Sequence, residues 1–225
     1  MQIAVRHNPS FAVARMTLAP GEEARAESGA MMAMSGGVEI ESKAEGGFMK
    51  SIKRSFLSGE SFFQTTFRAP QQGGWVDCAA RLPGDIHVFD VGAGVNLTAG
   101  SYLCSGIDVV LDTSWGGFKN MWGGEGGFLV RVTGQGQVAA ACYGALDVVD
   151  LAAGEQMVLD SGHLVGYTDG VTFITRKVSK GLVQTLKSGE GFVFEFTGPG
   201  DIWTQTRSPS ALVRWLTTAL PFSRA

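Results

Sequence analysis

Leu18-Ala-Pro-Gly-Glu-Glu-Ala-Arg-Ala-Glu-Ser-Gly29 returns as Leu151-Ala-Ala-Gly-Glu-Gln-Met-Val-Leu-Asp-Ser-Gly162, and this pair decides how the chain is read. At an offset of 133 the Leu, Ala, Gly, Glu, Ser and Gly recur in order, with Glu27 answered by Asp160. A looser copy lies between them: Val91-Gly-Ala-Gly94-Val-Asn-Leu-Thr-Ala-Gly-Ser101 keeps the turn glycine and the serine. A second motif follows each copy. Gly59-Glu60-Ser61-Phe62-Phe63, Gly124-Glu125-Gly126-Gly127-Phe128 and Gly189-Glu190-Gly191-Phe192-Val193 are spaced by 65 residues each time. Two interleaved motifs in the same order three times indicate internal triplication.

Each copy reads as β structure. Strand-like runs follow Gly-Glu at Phe62 to Phe67, Phe128 to Val132 and Phe192 to Phe196. Turns then fall at Gly73-Gly74, Thr133 to Gly136 and Thr197 to Gly200, before further strands at Trp75 to Ala80, Val138 to Cys142 and Ile202 to Thr206. Short runs of aromatic and β-branched residues punctuated by glycine predict a sandwich or barrel. Gly21, Gly94, Gly154, Gly59, Gly124 and Gly189 are expected to be structural turns, with Gly21 and Gly154 in equivalent turns at positive φ. A 3.6-residue period appears only near the end. Ser208 can cap a helix whose first residue is Pro209, and Leu212, Val213, Trp215, Leu216 and Leu220 give it an apolar face to pack on the β body. The expectation is one all-β domain, 1–225, of three units (about 11–84, 85–145 and 146–206) plus a helix at about 209–219.

Composition agrees. Glycine supplies 32 of 225 residues and charged residues only 17%, while mean hydropathy is +0.11, which excludes disorder and coiled coil. A net charge of -3 offers no basic footprint, so nucleic acid is an unlikely partner. Cys78, Cys104 and Cys142 lack C-x-x-C spacing and read as reduced core residues. No apolar stretch approaches 18 residues, so no transmembrane helix is expected. The N-terminal stretch has no signal-peptide apolar core. Its Arg6 and Arg15 faintly suggest a transit peptide, but Phe11 to Leu18 reads better as a strand, and a cytoplasmic location is the default expectation.

Glu27-Ser-Gly-Ala-Met31, Leu82-Pro-Gly-Asp-Ile86, Ser161-Gly-His-Leu-Val165, Ser188-Gly-Glu-Gly191 and Gly200-Asp-Ile-Trp-Thr-Gln-Thr-Arg207 span nearly the whole chain. In these stretches the sequence resembles the altered-inheritance-of-mitochondria family, formerly a domain of unknown function. The resemblance implies a fold like the tryptophan RNA-binding attenuation protein (TRAP-like), a shortened double-stranded β-helix present here in three tandem copies. It further implies a homotrimer whose ring holds nine such units. It brings no established catalytic residues and no cofactor. Mitochondrial members of the family are linked to inner-membrane organisation.

The residues themselves name no reaction. His7, His87 and His163 show no metal-binding spacing, and His163, beside a repeated Ser-Gly, reads as a hydrogen-bonding residue. Glu22, Glu155, Glu60, Glu125 and Glu190 sit beside turn glycines. Catalytic acids usually form one asymmetric pair, so repeated carboxylates read as turn acceptors. The glycine-rich runs carry no G-K-[ST], so they are no phosphate loop. More suggestive are the segments before Gly-Glu. Phe48, Ile52 and Phe56 fall four residues apart among Lys50, Lys53 and Arg54, and Trp115, Phe118 and Trp122 flank Lys119 in the next unit. They read either as plugs closing the β units or as a rim for a membrane surface or a partner protein. The favoured reading is a non-enzymatic oligomeric scaffold or adaptor. A ring binding a small ligand or nucleic acid is the alternative, and an uncharacterised enzyme with a site at unit junctions comes third.

Overall fold

The structure, a computed structural model, describes residues 1–41, 64–112, 129–177 and 192–220. Glycine turns and alternating burial set its strands, which are numbered in chain order. In β3 (Glu23–Glu27), for example, Ala24 and Ala26 are buried while the charged neighbours face outward.

The described strands make four antiparallel sheets. The first runs in the order β1 (Gln2–Arg6), β2 (Val13–Leu18), β7 (Gly74–Ala79) and β4 (Met31–Met34). The second is β5 (Glu39–Glu41), β6 (Gln64–Arg68), β3, β10 (Tyr102–Gly106), β13 (Gln137–Ala141) and β8 (Ile86–Asp90). The third is β11 (Val109–Asp112), β12 (Leu129–Gly134), β9 (Val95–Thr98), β16 (Leu164–Thr168), β19 (Gly200–Gln205) and β14 (Leu146–Leu151). The fourth is β15 (Gln156–Asp160), β18 (Phe192–Thr197) and β17 (Thr172–Lys177). The chain is thus predominantly β, with one helix, α1 (Pro209–Ala219), among the described residues.

Among the described residues, three hydrophobic clusters fill the interior. The first gathers Met16, Leu18, Phe67 and Val76, and is completed by Leu103 and Cys104 reaching in from β10. The second gathers Leu97, Tyr102, Val109, Val132 and Val138, completed by Val165 of β16 and Trp203 of β19. The third holds Leu151, Leu164, Tyr167, Phe194, Phe196 and Ile202, with Leu129 of β12. Its rings meet edge to face: Phe173 lies 5.0 Å from Phe194, and Tyr167 lies 5.6 Å from Phe173.

Two glycine positions are dictated by geometry. Gly21 (φ +71°) and Gly154 (φ +80°) adopt the left-handed conformation, and at both a Cβ would meet nothing within 4 Å, so the backbone and not crowding selects glycine. At Gly84 the reason is crowding. Its backbone bridges Gly144 in parallel, and an added Cβ would overlap the Cys142 carbonyl.

The helix corrects one expectation. Ser208 caps it, with its Oγ accepting from the Ala211 N–H at 3.3 Å and Pro209 in the first turn, as the sequence suggests. Its apolar face is only partly covered, however, with Leu212 and Leu216 half-buried. None of its residues is buried, and Trp215 is 64% exposed. It lies against a short 3-10 turn at Ser161–His163. A periodic apolar face signals that something covers it, and no strand of the described chain does.

Candidate functional site

β4 and β15 are end strands, one closing the first sheet and the other the fourth. An end strand presents unpaired N–H and C=O groups and usually carries charge or cover to block further pairing. Here apolar side chains stand exposed: Met31 and Met32 on β4, and Val158, beside Gln156, on β15. β4 also bends. Its pairing with β7 skips Met32, between Met31↔Cys78 and Ala33↔Asp77. β10 skips Leu103 against β13, and β16 skips Val165 against β19, in the same manner.

Next to β4, Asp77 is buried between two guanidinium groups. Arg15 donates from Nε to Oδ1 and from Nη2 to Oδ2, each at 2.8 Å, while Arg6 donates from Nη1 at 3.0 Å and from Nη2 at 2.7 Å. These bidentate bonds, those from Arg15 foremost, outweigh the cost of burial and hold the carboxyl well below the usual carboxylate range. Arg15 also stacks 4.0 Å over the Trp75 ring. A second cluster joins Arg131 Nη2 to Asp169 Oδ2 at 2.6 Å, and Asn96 donates to the same carboxylate at 3.3 Å. Both arrangements tie strands together and leave no free acid or base aimed at a cavity.

His163 is a clasp. Its Nδ1 lies 2.7 Å from the Gln205 carbonyl, and Gln205 in turn donates to the Gly162 carbonyl at 3.0 Å and accepts from the Tyr143 N–H at 2.8 Å. His87 stacks among Phe89 and Trp203, and burial lowers its pKa against the pull of Asp201 and Asp85. His7 lies at a turn with φ +63°. The three cysteines are free and buried. The bond from Cys78, then burial, raises the Cys104 thiol well above its ordinary value, and burial pushes Cys142 up to about 11. Cys104 and Cys142 are thereby inert, protonated thiols. Among the described residues no three His, Cys, Asp or Glu side chains come together as metal ligands. An open cleft of about 220 Å³ lies between the start of α1 and the body, lined by Tyr143, Arg207, Ser208, Ala211, Leu212 and Trp215.

Of the residues singled out in the sequence, Gly21, Gly94 and Gly154 have positive φ, with Gly94 (φ +135°) lying against the Asp169 carboxylate. The repeated turn carboxylates accept as expected where they are described: Glu22 from the Ala19 N–H at 2.7 Å and Glu155 from the Ala152 N–H at 2.9 Å. Phe48, Ile52, Phe56, Trp115, Phe118 and Trp122, and the glycines Gly59, Gly124 and Gly189, lie outside the described residues. So do Glu60, Glu125 and Glu190. The exposed Met31, Met32 and Val158 went unremarked in the sequence reading. The available signal was Met31-Met-Ala-Met34, an apolar run that does not alternate as a one-sided strand should.

Comparisons with known proteins match this architecture. An uncharacterized protein of Streptococcus pyogenes serotype M6 is 27% identical over 234 aligned positions, covering 99% of this chain and 92% of that protein. The crystal structure of a Streptococcus pyogenes protein superposes with a TM-score of 0.81 at 24% identity, covering 97% of this chain and 99% of that one, which shows a shared fold. No helix among the described residues is long and apolar enough to cross a membrane. Residues 3–207 match the family described as Mitochondrial biogenesis AIM24, and it is to this family that the chain belongs.

Proposed function

We propose that the chain is a building block of a closed homotrimeric ring, and that it works as a scaffold or adaptor and not as a catalyst. The observation that carries this reading is the pair of incomplete sheets. Two sheets have six strands, while the outer two stop at β4 and β15 with methionine and valine side chains in solvent. Closed cyclic association is the common way to remove such edges.

The reading includes one domain of three TRAP-like units, at about 11–84, 85–145 and 146–206. Strand pairing supports it. β7 joins β2 to β4 while β6 joins β3 to β5. In the middle third, β13 joins β8 to β10 and β12 joins β9 to β11. In the last third, β19 joins β14 to β16 and β18 joins β15 to β17. A ring of such chains would repeat any weak surface site three times, which suits an adaptor that engages a membrane surface or a partner protein by avidity. The uncovered face of α1 is the described surface best suited to such a partner.

Light scattering on purified protein tests the assembly. The expected mass is three times 23.8 kDa across micromolar concentrations, and a mass of 23.8 kDa throughout overturns the reading.

A further inference from the structure

We infer that the first and fourth sheets are two parts of one seven-stranded sheet shared between neighbouring copies. In this sheet β4 of one copy pairs antiparallel with β15 of the next, and Met32 enters that copy's third hydrophobic cluster. The inference rests on the ring reading and adds its partner, its strands and its register.

Two seams of this kind lie inside the chain. β10 pairs with β3 through Cys104↔Ala26, Ser105↔Arg25 and Gly106↔Ala24. β16 pairs with β9 through Gly166↔Leu97, Tyr167↔Asn96 and Thr168↔Val95. In both, pairing starts at the residue just after the bulge. The bulge of β4 places Ala33 where β10 has Cys104 and β16 has Gly166. On the other side of the seam, two alignments agree. The turn carboxylates Glu22 and Glu155 put Leu159 where β3 has Ala26. The 3-10 turns that follow Thr98 and Asp160 put Leu159 where β9 has Leu97. The missing seam is therefore Ala33↔Leu159, Met34↔Val158 and Ser35↔Met157.

Burial makes the same case. Leu103 and Val165, the bulged residues of the two internal seams, are 1% and 0% exposed because each reaches into the cluster of the preceding third of the chain. Met32 holds the same position on β4 and is 52% exposed. The first and second clusters each receive side chains from the following β10–β13 or β16–β19 pair. The third has no following pair within the chain. Joined across copies, the strand order becomes β17-β18-β15-β4-β7-β2-β1, whose first six strands match β5-β6-β3-β10-β13-β8 and β11-β12-β9-β16-β19-β14 position by position, with β1 added at the end.

Two double variants, Ala33→Cys with Leu159→Cys and Met34→Cys with Val158→Cys, test the register. Directly opposed residues on antiparallel strands lie within disulfide reach, and the native thiols are buried. Mild oxidation should convert at least one double variant into covalently linked trimers, while each single variant stays unlinked. A mass of three times 23.8 kDa without linkage in either pair overturns this seam and leaves the ring standing on another surface. A single-chain mass at all concentrations overturns both. Met32→Glu should reduce the mass to that of one chain with an unchanged β circular dichroism spectrum. An intact trimer, or a chain that unfolds, overturns the insertion of Met32.

Discussion

β10 and β4 carry the same bulge at the same place in their sheets, and a side chain with opposite fates sits at its apex. Leu103 is sealed because β3 lies alongside β10 and opens the first hydrophobic cluster to it. Met32 stands in solvent because β4 ends its sheet. Local geometry is equal at the two sites, so the neighbouring strand decides burial. The comparison extends one strand further. Ala139 on β13 and Trp203 on β19 occupy the position beside the bulge and pack into a cluster, whereas Asp77 on β7 is claimed there by Arg6 and Arg15. Beside the bulge the internal seams are apolar, and the outer edge joins an apolar apex to an ionic pair.

The sharpest way to break this comparison is truncation at the two bulges. Leu103→Ala should cost about 3–4 kcal/mol, as for a large buried aliphatic side chain, while Met32→Ala in chains kept monomeric by dilution should stay within about 0.5 kcal/mol. Urea denaturation of both decides the matter, and equal losses would show that Met32 already belongs to the chain's own core.

Asp77→Asn comes next. It should cost about 2–3 kcal/mol, less than breaking a fully buried pair, because both guanidinium groups stay partly wet. The pH dependence has a definite sign. The folded carboxyl binds its proton at lower pH than the ordinary value of 3.8, so its contribution is complete above about pH 4 and is lost as pH falls through the folded value. Denaturation midpoints measured between acid and neutral pH should show this limb in the native chain and a flatter one in the variant.

Smaller effects sharpen the comparison at its approaches. Gly21 leads into β3, which is covered, and Gly154 leads into β15, which is open, but both need the same left-handed backbone. Gly21→Val and Gly154→Val should each lower stability by about 1–2 kcal/mol. Melting midpoints that differ strongly between them would show that the covered strand tightens its turn. Ser208→Ala should remove about 1 kcal/mol from the helix itself and leave the global melt nearly unmoved, because α1 barely touches the sheets. A global shift as large as that of Gly154→Val would mean that the helix is docked.

Much of this was legible in the letters. Glycine spacing and aromatic runs placed β7, β13, β18 and β19 to within a residue or two, and Ser208-Pro209 fixed the start of α1, because turn and cap chemistry is local. The bulges were not legible. Met31-Met-Ala-Met34, Tyr102-Leu-Cys-Ser105 and Leu164-Val-Gly-Tyr167 share almost no letters, since a bulge is set by pairing with a distant strand. β1 escaped notice for a similar reason. Gln2–Arg6 is short, with only Ile3 and Val5 in alternation, and is held by β2 and by the bond from the Ile3 N–H to Gln137 Oε1 at 2.8 Å. The clasp of His163 on Gln205 depends on residues 42 apart. The apolar face of α1 was legible as a stripe but the extent of its cover was not, because periodicity reports that a face needs cover and not what supplies it.

The seams β3–β10 and β9–β16 have a consequence for the way the protein refolds. Each is three register pairs long and begins just after a bulge, so in a concentrated solution of unfolded chains β10 finds equivalent partners on its own β3 and on that of any other molecule. Exchange of whole thirds between molecules then competes with self-closure at little cost in contacts, which is domain swapping. Recovery of native protein after dilution from denaturant is therefore expected to fall steeply as chain concentration rises, with tangled multimers of native strand content as the product.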